Sequence, residues 1–190
     1  MNLLTELLTI QGSLAAVSRE ELLRQANDRG AGLSERQLTS IIGEGVFPQG
    51  ARFGTGPGQW PVLSIDLLVF IGRQRQANTS VASLRELVPI WCYIEGARRK
   101  NRLELAEFER VVRQNIRRVA AAFWIPWLLG GLLGGSDDLV VTRDGEPVKD
   151  SMTVVVGTMV EGEPKVFGEF TMPVARMAGE SSTVNITVDP

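Results

Sequence analysis

Apolar positions recur at helical spacing through roughly the first two thirds of the chain, and the pattern then changes to short runs of Val, Thr and Met. Leu3, Leu4, Leu7, Leu8 and Ile10 share one helical face, which predicts a short N-terminal helix. Three Ser-led segments follow: Ser18-Arg19-Glu20-Glu21, Ser34-Glu35-Arg36-Gln37 and Ser83-Leu84-Arg85-Glu86. Each reads S-x-x-E/Q beside an apolar-periodic run, the pattern in which a Ser hydroxyl and a Glu or Gln side chain cap a helix start reciprocally. The first two are separated by Gly30-Ala31-Gly32, which is helix-turn-helix spacing. Gly50 to Pro61 is Gly-rich and too short for core, so it reads as a loop beside those helices. Further on, Leu105, Phe108, Val112, Val119 and Ala122 alternate by three and four in a coiled-coil seam interrupted at Asn115. Pro89 fits the first residue of that helical region, with a break near Arg98 to Asn101.

Beyond residue 137 the period changes. Leu139–Thr142, Met152–Val160, Lys165–Met172, Val174–Met177 and Thr183–Val188 read as strands, with Asp144-Gly145, Glu161-Gly162 and Gly179 to Ser182 as turns. The expected class is therefore α+β: an N-terminal winged helix-turn-helix, a long linking and dimerisation helix, and a small C-terminal antiparallel β-sheet. The corresponding segments are 1–17 (apolar helix), 18–88 (winged helix-turn-helix), 89–125 (dimerisation and linking helices), 126–137 (apolar Gly-rich hinge) and 138–190 (acidic β-rich domain).

Charge sharpens this division. The formal net charge is −2, but residues 1–118 carry 16 Lys/Arg against 12 Asp/Glu (+4) and residues 119–190 carry 4 against 10 (−6). A basic half is a hint of a nucleic-acid or membrane surface, and the excess is nearly all Arg. The chemistry for catalysis is thin. There is no His, and Cys92 is the single cysteine, so a His base, a disulfide framework within the chain and a Cys-rich zinc site are all excluded. No paired base and nucleophile stands out, so an enzyme is not expected, nor a cofactor or a metal. The Gly-rich loop lacks the Lys-Ser/Thr ending of a P-loop. The N-terminal segment lacks the basic flank of an export signal, and a reducing cytoplasm fits.

Val119 to Gly135 carries no charge, with Arg117-Arg118 before it and Asp137-Asp138 after it. A spanning helix needs around 20 apolar residues, and this stretch is shorter and interrupted by Pro126 and four glycines. Its length favours burial as a helix end and hinge in a dimer; contact with a membrane is the alternative.

Residues 18–88 resemble the DNA-binding domain of the mercury-resistance-regulator (MerR) family of bacterial transcription factors. The residues that carry the likeness are Leu33-Ser34-Glu35-Arg36-Gln37-Leu38, Glu44-Gly45-Val46-Phe47-Pro48, the wing-like Gly50 to Trp60, Ile65-Asp66-Leu67-Leu68-Val69-Phe70-Ile71 and Ser83-Leu84-Arg85-Glu86-Leu87. The chain departs at Ser40-Ile41-Ile42, where the family usually has Arg-Tyr-Tyr, and its wing is less basic. The resemblance implies a second helix at the major groove. There Ser34 meets a phosphate, Arg36 donates to guanine, Gln37 pairs with adenine, and Ser40 lies on the same helix. Arg52 and Thr55 would reach the backbone from the loop, and Arg73 and Arg75 contact DNA or cap their helix. It also implies a long helix that pairs antiparallel in a homodimer, the place of residues 89–118; the apolar seam separately predicts the interface at Leu105, Phe108, Val112, Asn115 and Val119.

Two function classes compete. One is a DNA-binding transcription regulator whose partners are double-stranded DNA, itself, and a protein or small-molecule effector at the C-terminal part. The other is a non-catalytic interaction or assembly protein with a repurposed winged helix, membrane-associated through 119–135.

Overall fold

The structure is a computed structural model that describes residues 2–51, 57–133, 139–148, 151–161, 163–173 and 182–187. The chain divides into two compact units, Met1–Val88 and Pro89–Pro190.

In the N-terminal unit, α1 (Leu3–Gln11) starts where Asn2 accepts from the amides of Leu4 and Thr5, and stops at Gly12 in the left-handed conformation, φ 69°. Leu7 is fully buried, and the Gln11 side chain accepts from the Leu63 amide at 2.8 Å, tying α1 to the strand region. A short β1 (Ala16–Ser18) leads into α2 (Arg19–Asp28), and α3 (Glu35–Gly43) follows after the turn. β2 (Gln59–Pro61) pairs antiparallel with β1, Val17 opposite Trp60. Ala51 and Gln59 exchange both backbone hydrogen bonds at 2.8 Å, an isolated antiparallel bridge. Trp60 is buried, and its indole donates to the Pro48 carbonyl at 2.9 Å. α4 (Ser64–Gln76) runs through this unit with Ile65, Leu67, Leu68, Val69, Phe70 and Ile71 all buried, which is why its sequence is apolar on nearly every side.

The three Ser-led starts differ in outcome. Ser34 forms the full reciprocal box with Gln37. Ser18 caps α2 by accepting from the Glu21 amide at 3.3 Å, but the Glu21 carboxylate turns to Arg24 and Gln25 instead. Ser83 is not a cap. α5 (Val81–Arg99) starts two residues before it, where the Ser80 hydroxyl accepts from the Ser83 amide at 3.1 Å. Pro89 accordingly lies inside α5, correcting its placement as a first residue. Its missing amide leaves the preceding turn one hydrogen bond short, and the helix continues across it.

The C-terminal unit holds two three-stranded sheets among the described residues. β3 (Arg102–Glu104) pairs parallel with β4 (Val140–Arg143), and β4 pairs antiparallel with β5 (Glu146–Pro147) through Asp144-Gly145. Both turn residues have positive φ, 53° and 86°, the twist a two-residue hairpin requires. β6 (Ser151–Val160) lies between β7 (Glu163–Pro173), antiparallel, and β8 (Ser182–Thr187), parallel. Met152, Val154 and Val156 are buried in alternation, the period of a half-buried strand. The expected single antiparallel sheet is thus replaced by two sheets that each contain a parallel pair. The expected strand at 174–177 lies outside the described residues.

α6 (Leu105–Asn115) explains the remaining corrections. Its seam residues Leu105, Phe108 and Val112 are buried within the chain, where α6 packs on β3, β4 and β8. The seam expected to face a second copy is already covered. Asn115 closes the helix, donating to the Val111 carbonyl at 2.8 Å, and Val119 opens the separate short α7 (Val119–Ala122), half-buried. Of the residues expected as a hinge, 126–133 are helical within α8 (Ile125–Leu133), and 134–137 lie outside the described residues. The parallel β3–β4 pair also joins residues 102–104 to 140–142, so the chain does not divide at residue 138.

Glu104 is the junction of this unit. It caps α6 by accepting from the Ala106 amide, and it accepts from the Thr142 hydroxyl at 2.5 Å and the Asp144 amide at 3.0 Å. Burial pushes its carboxyl up, but these donors together outweigh burial and hold it below the usual range. Its carbonyl accepts from the Tyr93 hydroxyl at 2.9 Å, and burial raises that phenol to about 12.

Candidate nucleic-acid interface

The exposed face of α3 is built by what anchors its other side. Leu33, Leu38 and Ile41 are buried, which leaves Glu35, Arg36, Gln37, Thr39 and Ser40 outward. The preceding turn is stapled by Asn27, whose side chain donates to the Leu33 carbonyl at 2.8 Å and accepts from its amide at 2.9 Å. Gly30 and Gly32 adopt positive φ there, 89° and 63°. The turn rests on α4 at Gly72, where a Cβ would lie 2.3 Å from the Ala31 carbonyl oxygen. Two α4 side chains hold it further: Arg73 donates to the Arg29 carbonyl at 3.1 Å, and Gln76 donates to those of Gly30 and Ala31.

The residues expected at DNA are therefore distributed as follows. Ser34, Arg36, Gln37 and Ser40 come together on the outward side of α3. Arg75 joins them, lining a cavity of about 40 Å³ with Gln37, Ser40 and Glu44. Arg73 belongs to the turn instead. Arg52 and Thr55 lie outside the described residues. Within the group, Gln37 uses its carbonyl oxygen to accept from the Ser34 amide at 2.8 Å and the Ser34 hydroxyl at 3.0 Å. Only its amide donor remains for a ligand, so two-point recognition of adenine, which needs donor and acceptor, requires the capping box to open. The Ser40 hydroxyl donates to Glu44 at 2.5 Å.

Arg19 was not among the residues singled out in the sequence. It donates to the Thr39 hydroxyl at 2.5 Å and the Glu35 carbonyl at 3.3 Å, bracing α3 from α2. It also lines a cavity of about 320 Å³ with Ile42, Gln49, Trp60 and the loop ends at Gly50 and Pro57. Its position directly after the Ser18 cap was the available signal.

Charge on this unit is balanced. Residues 1–88 hold eight Arg and eight Asp/Glu, and the basic excess lies in 89–118, with eight Lys/Arg against four Glu. Arg24 is held between Glu21 at 2.6 Å and Asp28 at 2.7 Å, and its hydrogen bonds lower the Glu21 carboxyl to about 2. Arg29 pairs with Asp66 at 2.7 Å, and Arg85 donates to the Glu44 carbonyl. Arg36 and Arg75 are exposed beside the α3 face.

No protein-family model, no curated protein and no solved structure matches the chain. Among the described residues no helix is long and apolar enough to cross a membrane.

Proposed function

We propose that residues 18–88 are a winged helix-turn-helix that binds duplex DNA, and that the chain is a transcription regulator of the mercury-resistance-regulator-like type. One observation supports this reading: α3 is anchored by Leu33, Leu38 and Ile41, so that Ser34, Arg36, Gln37 and Ser40 stand outward together. That is the presentation a recognition helix needs. The C-terminal unit then supplies the sensing or partner-binding part. The balance of eight Arg and eight acids in residues 1–88 favours a second reading, a winged helix that binds protein.

Fluorescence anisotropy with duplex from upstream of the protein's own gene separates them. Under the first reading affinity falls steeply with salt as counterions are released. Arg36→Ala then costs about 1–3 kcal/mol and relaxes sequence preference, whereas Arg52→Ala weakens all sequences alike. Binding that neither substitution changes would leave the protein-binding reading standing.

A further inference from the structure

The cavity beside α3 holds a positive charge that the chain leaves unmatched. Arg19, the first residue of α2, is half-buried and lines this cavity of about 320 Å³. Its Nη2 is spent on the Thr39 hydroxyl and the Glu35 carbonyl, while its Nε and Nη1 have no partner among the described residues. It forms no ion pair among those residues, whereas Arg24 and Arg29 in the same unit both do. Neither Glu20 beside it nor Glu35, whose carbonyl it holds, turns a carboxylate to it, and no Asp or Glu lines the cavity. A cation drawn partly out of water is stabilised by an opposite charge, and here the chain supplies none.

The other walls indicate what body that charge belongs to. Ile42, Pro57 and Trp60 are apolar, and Gln49 adds one uncharged polar side chain. Trp60 is fixed in place: its indole donates to the Pro48 carbonyl at 2.9 Å, and a Cβ on Gly50 would meet its ring at 2.9 Å. Largely apolar walls with a few placed polar groups, in a volume near the lower end of about 300–1,000 Å³, describe a small-molecule site. An indole and a proline ring favour a flat, aromatic body between them. A single guanidinium matches a single carboxylate, to which it donates strong charge-assisted bonds. A phosphate monoester carries about two charges at neutral pH and would leave one of them unmatched.

We propose that this cavity binds a small aromatic monocarboxylate, with the carboxylate on Arg19 and the ring against Trp60, Ile42 and Pro57. The same guanidinium braces α3 against α2, so the site adjoins the helix proposed to meet DNA, but binding does not depend on that reading. The test is a titration of the full chain with phenylacetate, followed through the indole N–H resonances. Only the Trp60 signal should move, because Trp91, Trp124 and Trp127 belong to the other compact unit. The dissociation constant should lie below about 1 mM, within reach of a ligand of this size. Phenylacetamide, neutral and of the same shape, should bind about tenfold more weakly, and so should acetate, which lacks the ring. Arg19→Gln should weaken phenylacetate about tenfold and leave phenylacetamide unchanged, a difference that a general loss of structure does not produce. Ile42→Trp, which enlarges a wall into the cavity, should abolish binding of both. If Arg19→Gln does not fold, phenylacetate against phenylacetamide on the wild-type chain decides the role of the charge. The proposal is overturned if the Trp60 signal stays still at tenfold that concentration, or if phenylacetamide or acetate binds as well as phenylacetate. It is equally overturned if folded Arg19→Gln weakens both ligands alike, or if either folded variant binds phenylacetate as wild type does.

Discussion

Gly72 sets how closely the turn between α2 and α3 approaches α4. An added methyl would lie 2.3 Å from the Ala31 oxygen and 2.7 Å from its Cα, and both are backbone atoms that cannot swing aside. Alanine gains about 0.5–1 kcal/mol in a helix interior over glycine. The overlap outweighs this, and Gly72→Ala should destabilise the N-terminal unit by roughly 1–3 kcal/mol, the range for overpacking. A urea midpoint that rises on this substitution would refute the close-approach argument. Gln37 shows the same dependence on surroundings. Its residue type suggested adenine, yet its acceptor is engaged by Ser34, and nothing in the type alone reveals that.

Among the elements, α6 and β3 depend on one carboxylate. The donors around Glu104 come from α6, β4 and the turn at Asp144, so the ionised form links three pieces of chain. Its folded value lies below the unfolded one. The stability it contributes is therefore complete above the ordinary carboxylate value and is lost as pH falls through the depressed folded value. Glu104→Ala should cost about 1–3 kcal/mol at neutral pH, the range for leaving such donors unpaired. Denaturant curves for wild type and variant should converge in acid; an equal gap at neutral and acid pH would remove Glu104 as the cause. The Ser-led starts show the limit of local pattern. Ser34 and Ser18 are caps where the pattern put them, but two other serines compete at α5, and Ser80 caps because the helix begins earlier.

At the level of the whole molecule, the acidic C-terminal strands serve as cover for α6 as well as forming sheets of their own. Truncation after Gly135 removes β4 to β8 and exposes Leu105, Phe108 and Val112, each buried in the intact chain. Residues 89–135 should then become protease-sensitive, while residues 1–88 keep their protection, because the two compact units meet in sequence at residue 88. Persistent protection of 89–135 would mean that α6 finds its cover elsewhere. Much of the element order was legible beforehand: α1, the α2–turn–α3 segment, the break after Arg98, and four of the five expected strands. Caps, turns and side-chain period act within a few residues, so the local order of the chain determines them. The seam of α6 and the parallel pairing of β3 with β4 and of β6 with β8 were decided only by the tertiary structure. An apolar face states that it needs cover without naming the partner, and a strand's period is the same for either direction of its neighbour. Those choices are made between residues far apart in sequence, such as Leu103 and Val141.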